Sequence, residues 1–176
     1  MRLLIAYLFS ALLLVSCNAD PKESKNTASL NNSTNSSALT LRIADKTVAK
    51  EETFCLPVNA SDFNKIVSIQ YSVNWDPSIL SFQTIKDFNL TALSIDNFGR
   101  NRTENGILTT SWFDPQVKGI SIPNNTSIYS ICFKAVGDSG TKSQVLITSE
   151  PTVIEISNEK DVIGLNARRA MIKVGE

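Results

Sequence analysis

From Leu39 onward, apolar side chains return at every second position. Leu39, Leu41 and Ile43 alternate with Thr40, Arg42 and Ala44, and Phe54, Leu56 and Val58 with Cys55, Pro57 and Asn59. Ile69, Tyr71, Val73 and Trp75 alternate with Gln70, Ser72 and Asn74. Successive side chains of a strand point to opposite faces, so a period of two marks strands with one face on a core and one in water. Residues 39–43, 54–58, 69–75, 80–85, 107–113, 128–136, 145–148, 153–157 and 170–174 are the strand candidates. Asp76-Pro77, Asn105-Gly106, Asp114-Pro115, Pro123-Asn124-Asn125, residues 137–140 and residues 158–161 punctuate them as turns. Short strands at this spacing predict an all-β fold of two sheets, a sandwich or a barrel. Residues 46–52 read as a polar corner, and 89–97 as room for at most one turn of helix. Pro57 has no N–H to give a ladder, which predicts an edge, a strand end or a bulge there.

Upstream the pattern changes twice. Met1-Arg2 carries a positive charge, and residues 3–15 are apolar except for Ser10. The run is too short for a confident membrane span and has the length of a signal h-region. It ends in Leu14-Val15-Ser16-Cys17, which resembles a bacterial lipobox, cut before the cysteine with lipid placed on its thiol. Residues 1–16 then form a lipoprotein signal peptide, with Cys17 the lipidated residue. An ordinary signal peptide cut near Ala19 is the alternative. Each buried methylene contributes about 0.8 kcal/mol, so several acyl chains on one residue attach a protein durably. Residues 17–38 are polar and rich in Ser, Thr and Asn. They cannot bury enough surface to offset the entropy of ordering and read as a flexible tether that holds the domain on the order of 25 Å from the lipid, with a much longer maximum reach. The domain occupies residues 39–176. The expected location is the cell envelope, lipid-anchored, at the outer membrane or surface of a Gram-negative bacterium, with membrane contact through the anchor only. Sequons at Asn59, Asn89, Asn101 and Asn125 are read as chance in an Asn-rich chain.

Length and charge narrow the function. The 176 residues hold 17 basic and 17 acidic side chains. That balance argues against nucleic acid as a partner. Histidine is absent, which removes the commonest general base and the commonest transition-metal ligand. With no Gly-rich phosphate loop, Cys/His metal spacing or close carboxylate pair, no catalytic residue, metal ligand or cofactor site can be named.

Three cysteines remain, and Cys17 has its own role. Cys55 lies on the face of Pro57 and Asn59, and Cys132 on that of Ser130 and Lys134. Both point away from the core by parity. If their strands are neighbours they can form a cross-strand disulfide, worth roughly 4–5 kcal/mol in the chain-entropy treatment. A pair of free thiols is the alternative. A catalytic thiol would lack a histidine to activate it.

Four segments carry a family resemblance. Residues 66–80, with Asn74-Trp75-Asp76-Pro77, resemble the third-strand region of cohesin domains. Phe54-Cys55-Leu56-Pro57-Val58 resembles the family's apolar-x-apolar-Pro-Val strand. Residues 105–112 resemble the Gly-led strand after its central loop, and residues 127–135 its late core strand. The order holds over residues 39–174. The nearest likeness is to cohesin-like domains of Bacteroidetes surface proteins, which carry a similar cysteine pair. The resemblance implies a nine-stranded jelly-roll β-sandwich of two sheets, related to carbohydrate-binding modules, with the strands of Cys55 and Cys132 adjacent. It also implies a dockerin-like protein partner, such as a dockerin-bearing polysaccharide-degrading enzyme, held on the sheet of the third strand. The outward side chains there are Ser68, Gln70, Ser72 and Asn74, joined by Thr109, Ser111 and Phe113 from a neighbour. Ser68 and Gln70 stand where the family often has Asn and Asp. Without tandem repeats or a dockerin-like calcium segment, the chain does not read as a scaffold of many modules.

The remaining candidates take ordinary roles. Trp75 and Trp112 share parity with core residues, whereas Phe98 and Phe113 are the better candidates for exposed aromatics, with the plugging of loops the alternative for both. Asp76 and Asp114 precede prolines and are expected to cap turns. Asp138 and Asp161 read as solvated loop acids rather than calcium ligands, and Arg168-Arg169 as a charged approach to a strand, with membrane headgroup contact the alternative. The expected function is non-catalytic binding of a protein partner. The alternative is a carbohydrate-binding module holding polysaccharide at the cell surface.

Overall fold

The computed structural model describes residues 38–176. The expected signal segment, Cys17 and nearly all of the expected tether lie outside them. The alternation resolves into two sheets. In chain order the strands are β1 (Leu39–Arg42), β2 (Lys46–Val48), β3 (Thr53–Ser61), β4 (Ile66–Asn74), β5 (Leu80–Lys86), β6 (Phe98–Gly99) and β7 (Ile107–Phe113). They continue with β8 (Thr126–Ala135), β9 (Lys142–Thr148), β10 (Glu155–Asn158), β11 (Val162–Ile163), β12 (Leu165–Arg168) and β13 (Ala170–Val174). All nine candidate segments form strands. Four short ones are added: β2, β6, β11 and β12. The polar corner expected at 46–52 therefore holds a strand. Lys46-Thr47-Val48 has a single apolar residue and borrows its order from β13, its parallel partner.

One sheet runs β12-β1-β3-β8-β5. The other runs β11-β10-β4-β9-β13-β2, with β7 on the opposite edge of β4 and β6 beyond it. This is the expected two-sheet jelly-roll sandwich. Its interior is the apolar set that parity selected, including Leu39, Leu41, Leu56, Val58, Ile69, Val73, Leu108, Ile131 and Phe133. Every buried side chain of the described residues, and the disulfide, lies between Leu39 and Val174. That span holds the whole hydrophobic core of the described residues.

Pro57 sits in an inner strand, yet the rule it obeys is the expected one. β1 pairs with β3 only at Asn59–Ser61, so one edge of β3 is open at Pro57, and a bulge follows between Val58 and Asn59. The turn of helix allowed for in residues 89–97 is a 3₁₀ turn at Ile95–Asn97, closed by a capping box with Ser94, and a second 3₁₀ turn follows at Thr103–Asn105. Cys55 and Cys132 are register partners on β3 and β8 and are joined as a disulfide. Asp76 accepts from the backbone N–H and hydroxyl of Ser78, as expected of a turn cap.

Candidate functional site

The side chains read as a partner-binding face come together on the outer side of β4 and β7. Ser68 pairs with Phe113, Gln70 with Ser111, and Ser72 with Thr109. Parity puts their neighbours Ile69, Tyr71, Leu108 and Trp112 inside, all buried. Rows extend across the sheet. Val162 of β11, Ser157 of β10, Ser68 of β4 and Phe113 of β7 form one row. Glu155, Gln70 and Ser111 form the next, and Thr148, Ser72, Thr109 and Gly99 a third. Asn74 closes the face, accepting through Oδ1 from the Thr148 hydroxyl at 3.1 Å.

Much of this polar surface is already satisfied within the domain. The Ser68 and Ser157 hydroxyls lie 2.7 Å apart. Gln70 donates through Nε2 to the Val153 carbonyl at 3.2 Å. Ser72 accepts from the Thr152 backbone N–H at 2.9 Å and is fully buried under residues 149–154. Ser72 points outward as expected, but the segment between β9 and β10 covers it, and it presents nothing to a partner. Exposure concentrates at Ser111 and at Phe113, which is 62 % exposed. Val153 and Val162, which sequence reading did not select for the face, add apolar surface at 65 % and 69 % exposure. Their signal was present as apolar residues at outward parity, but β11 was not recognised as a strand.

Other aromatic candidates are interior. Trp75 and Trp112 are buried, their indole N–H groups donating to the carbonyls of Leu80 and Thr91. Phe98, expected to be exposed, is buried and packs edge-on against Tyr129, with ring centroids 4.9 Å apart. The β6–β7 pairing turns it inward beside Thr110.

Between the sheets, the hydroxyls of Tyr71 on β4 and Tyr129 on β8 lie 2.7 Å apart. Burial pushes the Tyr71 phenol well above its ordinary range and Tyr129 up to about 12. Both stay neutral near pH 7 and tie the sheets together rather than exchange protons. Asp138 pairs with the Lys50 ammonium at 2.9 Å, and that contact lowers its carboxyl from the usual range. Among the described residues no group of His, Cys, Asp and Glu is placed to hold a metal, and no helix is long and apolar enough to cross a membrane.

Comparison with known proteins agrees with this architecture. The family model described as "Cohesin domain" matches residues 39–165. The chain belongs to the cohesin family. Solved cohesins share its fold. The third cohesin of ScaC from Acetivibrio cellulolyticus, solved in complex with the ScaB dockerin, superposes with a TM-score of 0.65 at 17% identity, over 78% of this chain and 99% of that one. The seventh ScaB type I cohesin from Pseudobacteroides cellulosolvens gives 0.64 at 16% identity, over 78% and 92%. A non-cellulosomal cohesin from the archaeon Archaeoglobus fulgidus gives 0.62 at 15% identity, over 79% and 92%. Among curated proteins, none matches the sequence.

Proposed function

We propose that this cohesin domain is a non-catalytic docking module that holds a protein partner on the outer face of β4, β7, β10 and β11. The observation that carries the reading is where the exposed apolar side chains fall. Of the five large hydrophobic residues exposed among the described residues, Phe113, Val153 and Val162 border this one face. Between them lie the side chains of Ser68, Gln70, Ser111 and Ser157, with one exposed carboxylate, Glu155, in the Gln70 row. A largely uncharged, hydroxyl-rich centre with apolar anchors at its rim suits a folded protein surface. Sugar binding would call for exposed aromatics arranged as a platform, and among the described residues Phe113 is the one large exposed aromatic.

The partner we propose is a dockerin-like domain, for example on a polysaccharide-degrading enzyme. Solved complexes of similar cohesins with dockerins support it. We further propose that Cys17 carries lipid and holds the domain at the cell envelope, on the strength of the residues before it. Pull-down against dockerin-bearing proteins, alongside a glycan array, tests the docking proposal. Capture of a dockerin-bearing protein supports it. Binding to glycans alone, unaffected by an arginine at position 70, defeats it in favour of the carbohydrate reading. Mass spectrometry of the mature N-terminal peptide tests the anchor, which an unacylated Cys17 would overturn.

A further inference from the structure

A second surface lies on the other sheet. β1 and β12 run parallel at its edge, and their last register pair is Arg42 with Arg168. Leu39 and Leu41 fix the inward parity of β1, so Arg42 and Arg168 share the outer side, both exposed. Like charges directly opposite each other destabilise a strand pair. No carboxylate offsets this one: the ion pairs among the described residues are Lys50–Asp138, Lys65–Glu159 and Lys134–Glu51. Arg169 follows, also exposed. The two chains then cross side by side to the other sheet, where β2 and β13 pair in parallel. In segments 42–46 and 168–172 the one carboxylate is Asp45, and its Oδ1 already accepts from the Met171 backbone N–H at 2.7 Å. Lys46 is occupied too, its ammonium 5.2 Å from the centre of the Phe54 ring. In a chain with no net charge, this corner is a local concentration of cations.

We propose that Arg42, Arg168 and Arg169 form a cationic corner that rests on an anionic phospholipid surface. Guanidinium groups match phosphate oxygens through paired N–H donors. The choice of a membrane follows from where the chain enters. Residues 1–38 lead into β1 at Leu39, three positions before Arg42, and begin with the apolar run 3–15. In this respect the inference rests on the anchoring proposed for Cys17, which would hold the domain at a typical distance on the order of 25 Å from lipid, so that the corner repeatedly meets it. The docking face belongs to the other sheet, so lipid contact here leaves it free for a partner.

The test uses a chain beginning at Asn18, which lacks the lipidated residue and keeps the whole core. Co-sedimentation with vesicles of phosphatidylglycerol and phosphatidylcholine is compared with phosphatidylcholine alone. Binding to the anionic vesicles is expected, weakening as salt is raised. Replacing the three arginines (R42Q/R168Q/R169Q) should weaken it by roughly fivefold each, on the order of a hundredfold together. The K142Q/K173Q variant, which removes a facing lysine pair on the other sheet, should bind like the parent. An unchanged or raised melting temperature in the triple variant shows that its fold is kept. Equal partition to both vesicle types, no partition at all, equal losses in the two variants, or a triple variant that binds like the parent would each overturn the proposal. Displacement by millimolar inorganic phosphate at constant ionic strength would also do so, by marking a small-anion site. Because Cys17 is absent from the tested chain, these outcomes concern the corner alone, and the anchor stands or falls on its own peptide mass.

Discussion

Ser68 stands opposite Phe113 across the β4–β7 ladder, with its hydroxyl 2.7 Å from that of Ser157. The serine is satisfied inside the sheet while the phenylalanine is open to water. The two therefore contribute differently to docking. A partner gains most by covering Phe113, because burial of a large aromatic anchor dominates interface energies. Phe113→Ala should weaken partner binding by about 2 kcal/mol, roughly thirtyfold, with little change in melting temperature. Ser72→Ala should behave in the opposite way. It removes the acceptor for Thr152 N–H under the 149–154 segment and should cost about 1 kcal/mol of stability while leaving affinity near the parent value. Isothermal titration paired with thermal unfolding separates the two effects.

The Tyr71–Tyr129 hydroxyl pair ties the two sheets together beside the buried Thr110 hydroxyl. Tyr129→Phe removes the 2.7 Å partner of the buried Tyr71 hydroxyl, at about 1–3 kcal/mol. The double variant Y71F/Y129F should lose less than the sum of the two single losses. The pair also sets an alkaline limit. Both phenols titrate higher in the folded state than the ordinary value near 10, with Tyr129 at about 12. The folded protein thus keeps protons that the unfolded chain gives up. Their contribution is full below pH 10 and is lost as pH rises through 12, by roughly 2–3 kcal/mol for Tyr129. Urea unfolding between pH 9 and 12 should show that slope in the parent and a flatter one in the double variant.

How far the sequence carried depended on the range of the contacts involved. Period-two alternation revealed the long strands because each buries its own apolar face, and parity placed Cys55, Cys132 and the β4–β7 side chains correctly. The short strands β2, β11 and β12 were missed. With two to four residues each, they show no period and are ordered by their partners. The cover over Ser72 was equally hidden, since Thr152 lies 80 positions away along the chain. Phe98 misled because β6 has only two residues, too few to reveal which face it turns inward.

The disulfide should matter more than any single surface contact. Cys55 and Cys132 are 77 positions apart. Closing a loop of that size restricts the unfolded chain by about 4–5 kcal/mol in the chain-entropy treatment. The C55A/C132A variant should lose stability of that order under oxidising conditions, and the parent should fall to the same level in reductant. Parent stability indifferent to reductant, with the linked peptide absent from a non-reducing map, would exclude the bond.

The loop after β7 sets strain against a firm hold. Val117 has φ of 54°, a left-handed conformation that costs a β-branched residue about 1–2 kcal/mol, and it is 68 % exposed. Asp114 holds the loop in place. Its buried carboxylate accepts backbone N–H bonds from Gln116, Lys118 and Gly119, each at 3.0 Å. Gly119 has φ of 72°, and a Cβ there would fall 2.5 Å from the Lys65 carbonyl oxygen. Asp114→Ala should therefore cost about 1–3 kcal/mol, because three backbone N–H groups of the loop lose their shared acceptor. Val117→Gly should do the reverse and stabilise by up to about 1 kcal/mol, since relief of strain outweighs the added freedom of the unfolded chain. If that stabler variant also binds the partner less well, Val117 is an apolar contact displayed at a cost in stability, four residues beyond Phe113. If affinity holds while stability rises, the docking surface ends at Phe113.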